Sequence, residues 1–295
     1  MKSFALLCAA ALLAAGFPAC SPKKPGSMAR LRAGAAAPGA GGAAHPGGTA
    51  PLPPGAKLSY SQFNVPGPYV AITFDDGPVP ANTPRLLDML SQRGIKATFF
   101  VVGNFAVRYP QIIRRITADG HEIANHTWTH RALTSLGDSG VRSELQRSQD
   151  LIVKVAGAGA APRMFRPPGG AITARQKSWI MSEFGYPCIL WSIDPRDWEA
   201  PSRGGCRGQP WELTRRIVSQ AKAGDIILVH DLHGSSVDAM PATLDALLAK
   251  GFRFLTMSQI IALSQGHAPH APGMGPGLAS APVVKMPPLF TPGSF

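Results

Sequence analysis

The chain has 295 residues, 45% of them hydrophobic and only 16% charged, with 32 Gly, 29 Pro and a net charge of +12. That apolar share supports an ordinary packed core and excludes a chain that is disordered throughout. The basic excess would suit a nucleic-acid partner, but residues 57–265 carry 23 basic against 17 acidic side chains and no dense Lys/Arg run with interleaved aromatics, so nucleic acid is set aside as a partner.

Lys2, an apolar stretch over 4–17 and Pro18-Ala19-Cys20 read as an export signal over 1–20, too short for a comfortable membrane span. Cys20 stands where a bacterial lipoprotein carries its lipid-modified cysteine, which would anchor the chain to a membrane. Phe17 and Pro18 depart from the usual lipobox, so cleavage nearby or an uncleaved anchor stay open. Residues 21–56 are Ala, Gly, Pro and little else, a tether that cannot bury a core, and 266–295 form a similar tail. The expectation is one folded domain over 57–265, exported to a periplasm or cell envelope, with no oligomeric state legible.

Within that domain, apolar runs and helical periodicity alternate. A strand is expected at 69–74, then a helix at 83–93 with Asn82 as its cap, a strand at 97–102, a helix at 109–119 and a strand at 122–125. A helix at 139–156, a strand at 163–166, a helix at 173–184 and a strand at 188–193 follow. The last units are a helix at 211–222, a strand at 225–229, a helix at 236–250 and a strand at 252–255. Such alternation implies an α/β fold with a mainly parallel sheet, and this many units suggest a closed or nearly closed barrel. No GxGxxG follows the first strand, which argues against a dinucleotide fold. In parallel barrels the chemistry sits at the carboxyl ends of the strands.

Five polar clusters fall at those predicted ends. Thr73-Phe74-Asp75-Asp76-Gly77-Pro78 closes the first strand with adjacent acids. Neighbouring carboxylates repel unless a positive group sits beside them, so one could ligate a metal while the other stays free as a base; alone, the same residues could simply turn the chain. In the run from His121 to His130, His126 and His130 have three residues between them, a spacing that fits one face of a helical turn and a zinc-like ion; a pair of structural histidines is the alternative, and His121 reads as structural. Arg166-Pro167-Pro168-Gly169-Gly170 offers a guanidinium to pair with a carboxylate and glycines for close backbone approach, or else a rigid loop. Asp194-Pro195-Arg196-Asp197-Trp198 joins acids to a sugar-stacking aromatic, unless the Trp is core and the acids solvated. The strand 225–229 delivers His230, equally a satisfied core histidine. Cys188 and Cys206 could form a disulfide in an oxidising compartment; otherwise Cys188 is a small buried hydrophobe and Cys206 a loop thiol.

Taken in order, TFDDG, HTWTH, RPPGG, DPRDW and LVH resemble the motifs of the NodB-type polysaccharide deacetylases, the family-four carbohydrate esterases, over about 68–263. The resemblance implies a distorted (β/α)7 barrel, the NodB-homology domain, and one divalent metal ion, zinc above all. It implies a metal-dependent hydrolase that removes N-acetyl groups from an amino-sugar glycan (peptidoglycan, chitin-like or poly-N-acetylglucosamine) and releases acetate. Asp75 resembles the family's catalytic base, Asp76, His126 and His130 its metal ligands, and Arg166 the arginine that positions the base. Asp197 matches the acid that orients the catalytic histidine, His230 the general acid, Trp198 the aromatic wall of the sugar groove, and Leu228 the apolar residue beside the acid. Asp194 is expected to join the polar network behind the site. Gly169 stands where the family usually has Tyr, which keeps a backbone N–H for substrate and loses a side chain. A de-O-acetylase of an acetylated glycan and a non-catalytic glycan-binding envelope protein are the competing readings.

Overall fold

The computed structural model describes residues 57–267 of the chain. The expected export signal, Cys20 with its expected lipidation, the expected tether and all but the first two residues of the expected tail lie outside the described residues. Among these described residues, seven strands and eight α-helices follow in chain order. They are β1 (Ser59–Tyr60), β2 (Tyr69–Asp75), α1 (Thr83–Gln92), β3 (Thr98–Val101), α2 (Gly103–Ala106), α3 (Pro110–Ala118), β4 (Glu122–Asn125) and α4 (Asp138–Ala156). Then come α5 (Ala174–Phe184), β5 (Cys188–Ile189), α6 (Pro210–Gln220), β6 (Ile226–His230), α7 (Gly234–Ala249), β7 (Arg253–Phe254) and α8 (Met257–Ser264).

Every named strand pairs in parallel, with β4, β3, β2 and β6 side by side and β7 against the start of β2. Isolated parallel bridges close the ring: Asn125 to Phe165, Phe165 to Cys188, and Ile193 to Ile227 on β6. The alternating α/β order and this ring agree with the distorted (β/α)7 barrel expected. The strand expected at 163–166 shrinks to the single bridging residue Phe165. Pro162, Pro167 and Pro168 flank it and Pro187 lies opposite, and none of them can donate to a ladder. The strand expected at 188–193 is regular only over Cys188–Ile189: Cys188 N and Leu190 N bond to Leu58 O and Tyr60 O beside β1, and Ser192 N then turns to Ile226 O of β6.

Side-chain parity divides the sheet into an outer and an inner face. Val70, Ile72 and Phe74 of β2, Phe99 and Val101 of β3, Ile123 of β4 and Ile227 and Val229 of β6 pack outward with Leu86, Leu87 and Leu90 of α1 and Leu244 of α7 in the main core. Ala71, Phe100, Ala124 and Ile226 belong to a second cluster on the inner side. Burial on both faces explains why these strands read as nearly continuous apolar runs. Among the described residues no helix is long and apolar enough to cross a membrane.

Cys188 and Cys206 are both free and buried, so the possible disulfide does not form. Cys188 is the small buried hydrophobe anticipated, and Cys206 is a loop thiol, buried with Sγ 3.1 Å from Pro195 O. Burial pushes both thiols up to about 11.

Candidate active site

The inner-face parity of three strands ends in polar residues. On β2 the sequence Ala71, Thr73, Asp75 runs inward; on β6 Ile226 and Leu228 lead to His230; beyond Ala124 of β4 comes His126. Asp75 and His230 are register partners on adjacent strands. The barrel's geometry therefore gathers these groups at the carboxyl ends of the strands.

Asp76 follows β2 with a left-handed φ of 75°. Its Oδ1 lies 3.3 Å from His126 Nε2 and 3.0 Å from His130 Nε2. Ligand atoms of these three residues all fall within 4.8 Å of one another. The two histidines do not share a helical face as their spacing suggested. Residues 126–130 form an irregular loop with left-handed φ at Thr127 (67°) and His130 (60°). Side chains fix that path: Asn125 Oδ1 accepts from Thr127 N, Thr127 Oγ1 accepts from His130 N, and the buried Glu144 carboxylate of α4 accepts from Trp128 N, Thr129 N and Thr129 Oγ1.

A cation fits this arrangement. His126 Nδ1–H donates to Arg166 O at 2.8 Å, so Nε2 presents its lone pair toward Asp76. Asp76 Oδ1, buried, has no hydrogen-bond partner although two imidazole nitrogens face it. Acceptors converging in this way need positive charge between them, as a proton or as a divalent ion. Burial would push the Asp76 carboxyl up, yet the two imidazoles hold it well below the usual carboxylate range. The nearby Asp76 carboxylate raises His130 in return, against the effect of burial. An Asp/His/His set suits zinc and leaves further coordination positions open.

Asp75 is 2% exposed and Arg166 fully buried. Arg166 Nη1 donates to Asp75 Oδ1 (2.6 Å) and Thr73 Oγ1 (2.8 Å), while Nε and Nη2 bond the carbonyls of Ile189 and Leu190 at 3.1 Å. Its carbon centre stacks 4.0 Å from the Phe100 ring centroid. A guanidinium fixed by four acceptors and an aromatic face has one orientation, and so has the carboxylate it holds.

On the other side, His230 Nδ1 meets Asp197 Oδ1 at 2.7 Å, and Asp197 Oδ2 accepts from His230 N and Ser236 Oγ. Burial alone would lower the imidazole, but Asp197, with Asp75 and Asp76 beyond, lifts it from 6.5 to about 9. Trp198 is 44% exposed beside this pair. Leu228 is buried on the inner face of β6, two residues before His230. Asp194 does not join the network through a direct bond to His230 or Asp197; its Oδ1 caps the turn by accepting from Arg196 N at 2.7 Å. Gly169 is exposed with φ 60° and nothing within 4 Å of where a Cβ would sit. A Tyr would find space there, but at a left-handed cost of about 1–2 kcal/mol.

Thr73, Glu144, Ser236 and Asp231 complete the site's supports and were not singled out from the sequence. Asp231 is 1% exposed, accepts from Thr83 Oγ1, and leaves its other oxygen unpartnered beneath Gly77, where any Cβ would collide with it. Burial, reinforced by Asp76 and Asp75 against the Thr83 bond, pushes it up to about 7. Its place directly after His230 was the one available signal.

Known proteins resemble the chain in sequence and in fold. The profile described as polysaccharide deacetylase matches residues 63–189. A peptidoglycan-N-acetylglucosamine deacetylase of Bacillus cereus is 35% identical over 207 residues, covering 68% of this chain and 72% of the relative. A chitooligosaccharide deacetylase of Sinorhizobium fredii is 34% identical over 205 residues, covering 65% of this chain and 91% of the relative. The solved structure of peptidoglycan deacetylase PdaC from Bacillus subtilis superposes with a TM-score of 0.61 at 33% identity, over 70% of this chain and 93% of that one.

Proposed function

The chain belongs to the polysaccharide deacetylase family, and from that premise we propose that it is an exported, zinc-dependent hydrolase that removes N-acetyl groups from an amino-sugar polysaccharide of the cell envelope. The observation that carries this reading is the convergence of Asp76, His126 and His130 beside the register-paired Asp75 and His230.

Asp76, His126 and His130 would hold the ion, which when bound polarises the acetamide carbonyl and makes its water more acidic. Asp75, ion-paired with Arg166, takes a proton from the attacking water. His230, kept charged by Asp197, gives a proton to the amine nitrogen as the C–N bond breaks. An amide needs that proton, because an unprotonated amine leaves poorly. Trp198 presents its exposed face to a sugar ring, and Leu228 closes the apolar side. Acetate and a free amino sugar result. The signal at 1–20 and Cys20 would carry the domain to the envelope and anchor it there.

The test uses the full chain, stripped of metal and reloaded with zinc, on N-acetylglucosamine oligomers and on purified peptidoglycan. Acetate release that depends on zinc supports the proposal. A folded, zinc-loaded protein that releases none from either substrate would sink it. Ligand assignment has its own measurement: His126→Ala should weaken zinc in a chelator competition by more than the ~10–100-fold expected for an outer-shell partner. Unchanged affinity would remove His126 from the ligand set.

A further inference from the structure

Beside Trp198 lies an open cleft of about 470 Å³ lined by Trp198, Glu199, Ala200, Ser202, Arg203 and Arg207, a volume within the range of ligand-binding clefts. The segment that carries it is built rather than loose. Arg216 Nη1 bonds Pro195 O (3.0 Å) and Gly204 O (2.9 Å), and Gly208 N donates to Ser235 Oγ at the start of α7. Gly205 packs so tightly on the Glu199 backbone that any Cβ would collide with it.

The charges of this segment divide into two kinds. Arg196 pairs with Glu199 and also bonds Arg203 O, while Arg215 and Arg216 pair with Glu212. Arg203 and Arg207 are exposed, and among the described residues their guanidinium groups make no ion pair or hydrogen bond. Glu199, the one acid of the cleft, is already neutralised by Arg196. The cleft therefore holds two uncompensated cations next to an aromatic face. It also borders the reacting end of the site: Trp198 follows Asp197, the charge of Arg207 reaches His233, and the His233 ring lies 6.5 Å from that of His230.

We infer that Arg203 and Arg207 form a subsite for a carboxylate borne by the glycan next to the sugar that is deacetylated, so that acidic amino-sugar polymers are preferred over neutral ones. Guanidinium groups recognise carboxylates through paired hydrogen bonds, and a Trp face accepts the ring that carries the acid. This rests on the proposed deacetylase reading for the identity of the glycan, but its test is separable. The carboxylate could be a lactyl ether on the ring or part of a peptide joined to it.

Binding is measured by calorimetry on the zinc-loaded full chain. The probes are the neutral N-acetylglucosamine tetramer, a tetrasaccharide alternating N-acetylglucosamine and N-acetylmuramic acid, and the same tetrasaccharide with peptide stems. The parent protein should prefer a carboxylated probe by about tenfold or more, as for a hydrogen bond to a charged group. That ratio should fall toward one in Arg203→Ala/Arg207→Ala, stay partly intact in Arg203→Lys/Arg207→Lys, and shrink with added salt. Preference for the bare acidic sugar assigns the lactyl group; preference only with stems assigns the peptide. Equal affinity for neutral and acidic probes, or a preference that survives the double Ala variant, overturns the subsite. Acetate release is read in parallel. Release without carboxylate preference leaves the activity standing and removes the subsite, whereas preference without release does the reverse.

Discussion

Asp75→Asn is expected to slow acetate release by about 10²–10⁴-fold, the usual contribution of a positioned general base. The substitution keeps the shape of the side chain and an oxygen for Arg166 Nη1, now 2.6 Å from Asp75 Oδ1, but removes the group that takes the water proton. It also neutralises half of a buried ion pair. Removing one partner of such a pair costs up to about 3–5 kcal/mol, and the loss here is smaller because the Asn amide oxygen still accepts and Thr73, Ile189 and Leu190 still bind the guanidinium. Rate and stability therefore need separate readings, acetate release on zinc-loaded protein and urea unfolding. A variant as stable as the parent and equally active would remove Asp75 from the role of base.

Asp197→Asn should change both the rate and its pH dependence. His230 is raised from 6.5 to about 9, so it is charged and able to donate at neutral pH. The sign follows from that direction. The stabilising His230–Asp197 pair is fully formed below about 6.5 and is lost as pH rises through about 9. Without the Asp197 charge, burial still opposes protonation while only Asp75 and Asp76 still favour it, so the imidazole should titrate below the parent's value of about 9. Acetate release should then drop by about 10²–10⁴-fold, with its alkaline fall moved to lower pH. NMR titration of the His230 ring in metal-stripped parent and variant checks the shift directly. A ring that titrates alike in both would break the link between Asp197 and the acid.

The barrel was legible because its strands are buried on both faces. Runs such as Val70-Ala71-Ile72-Thr73-Phe74 suit a strand covered on both sides, and Pro84, Pro110 and Pro210 mark helix starts where a missing N–H costs nothing. The α8 helix was missed although its signal was present. Thr256 and Gln259 form a capping box ahead of an apolar run. By contrast, β1 and α2 are two and four residues long and leave no periodicity to find.

Within the candidate site, residue types and strand-end positions were readable, but backbone path was not. His126 and His130 carry a helical spacing, but Thr127 and His130 take left-handed conformations and the rings come together by another route. Glu144, which shapes that route, sits mid-helix where an acid ordinarily faces water. Which arginines around the cleft of Arg203 and Arg207 remain available is decided by ion pairing, which a sequence does not display.

Phe165 gives the barrel a seam. Between β4 and β5 the wall is one residue wide, carried by bonds from Asn125 N to Met164 O, Arg166 N to Asn125 O, Phe165 N to Pro187 O and Ile189 N to Phe165 O. Stability is not uniform across a fold, and so few main-chain bonds make this the place where a sub-global opening would begin. Arg166 hangs directly from the seam. Its side chain orients Asp75 and its carbonyl sets the tautomer of His126. One excursion there would unseat the base and a metal ligand together, so the centre would be assembled and lost as a single cooperative unit.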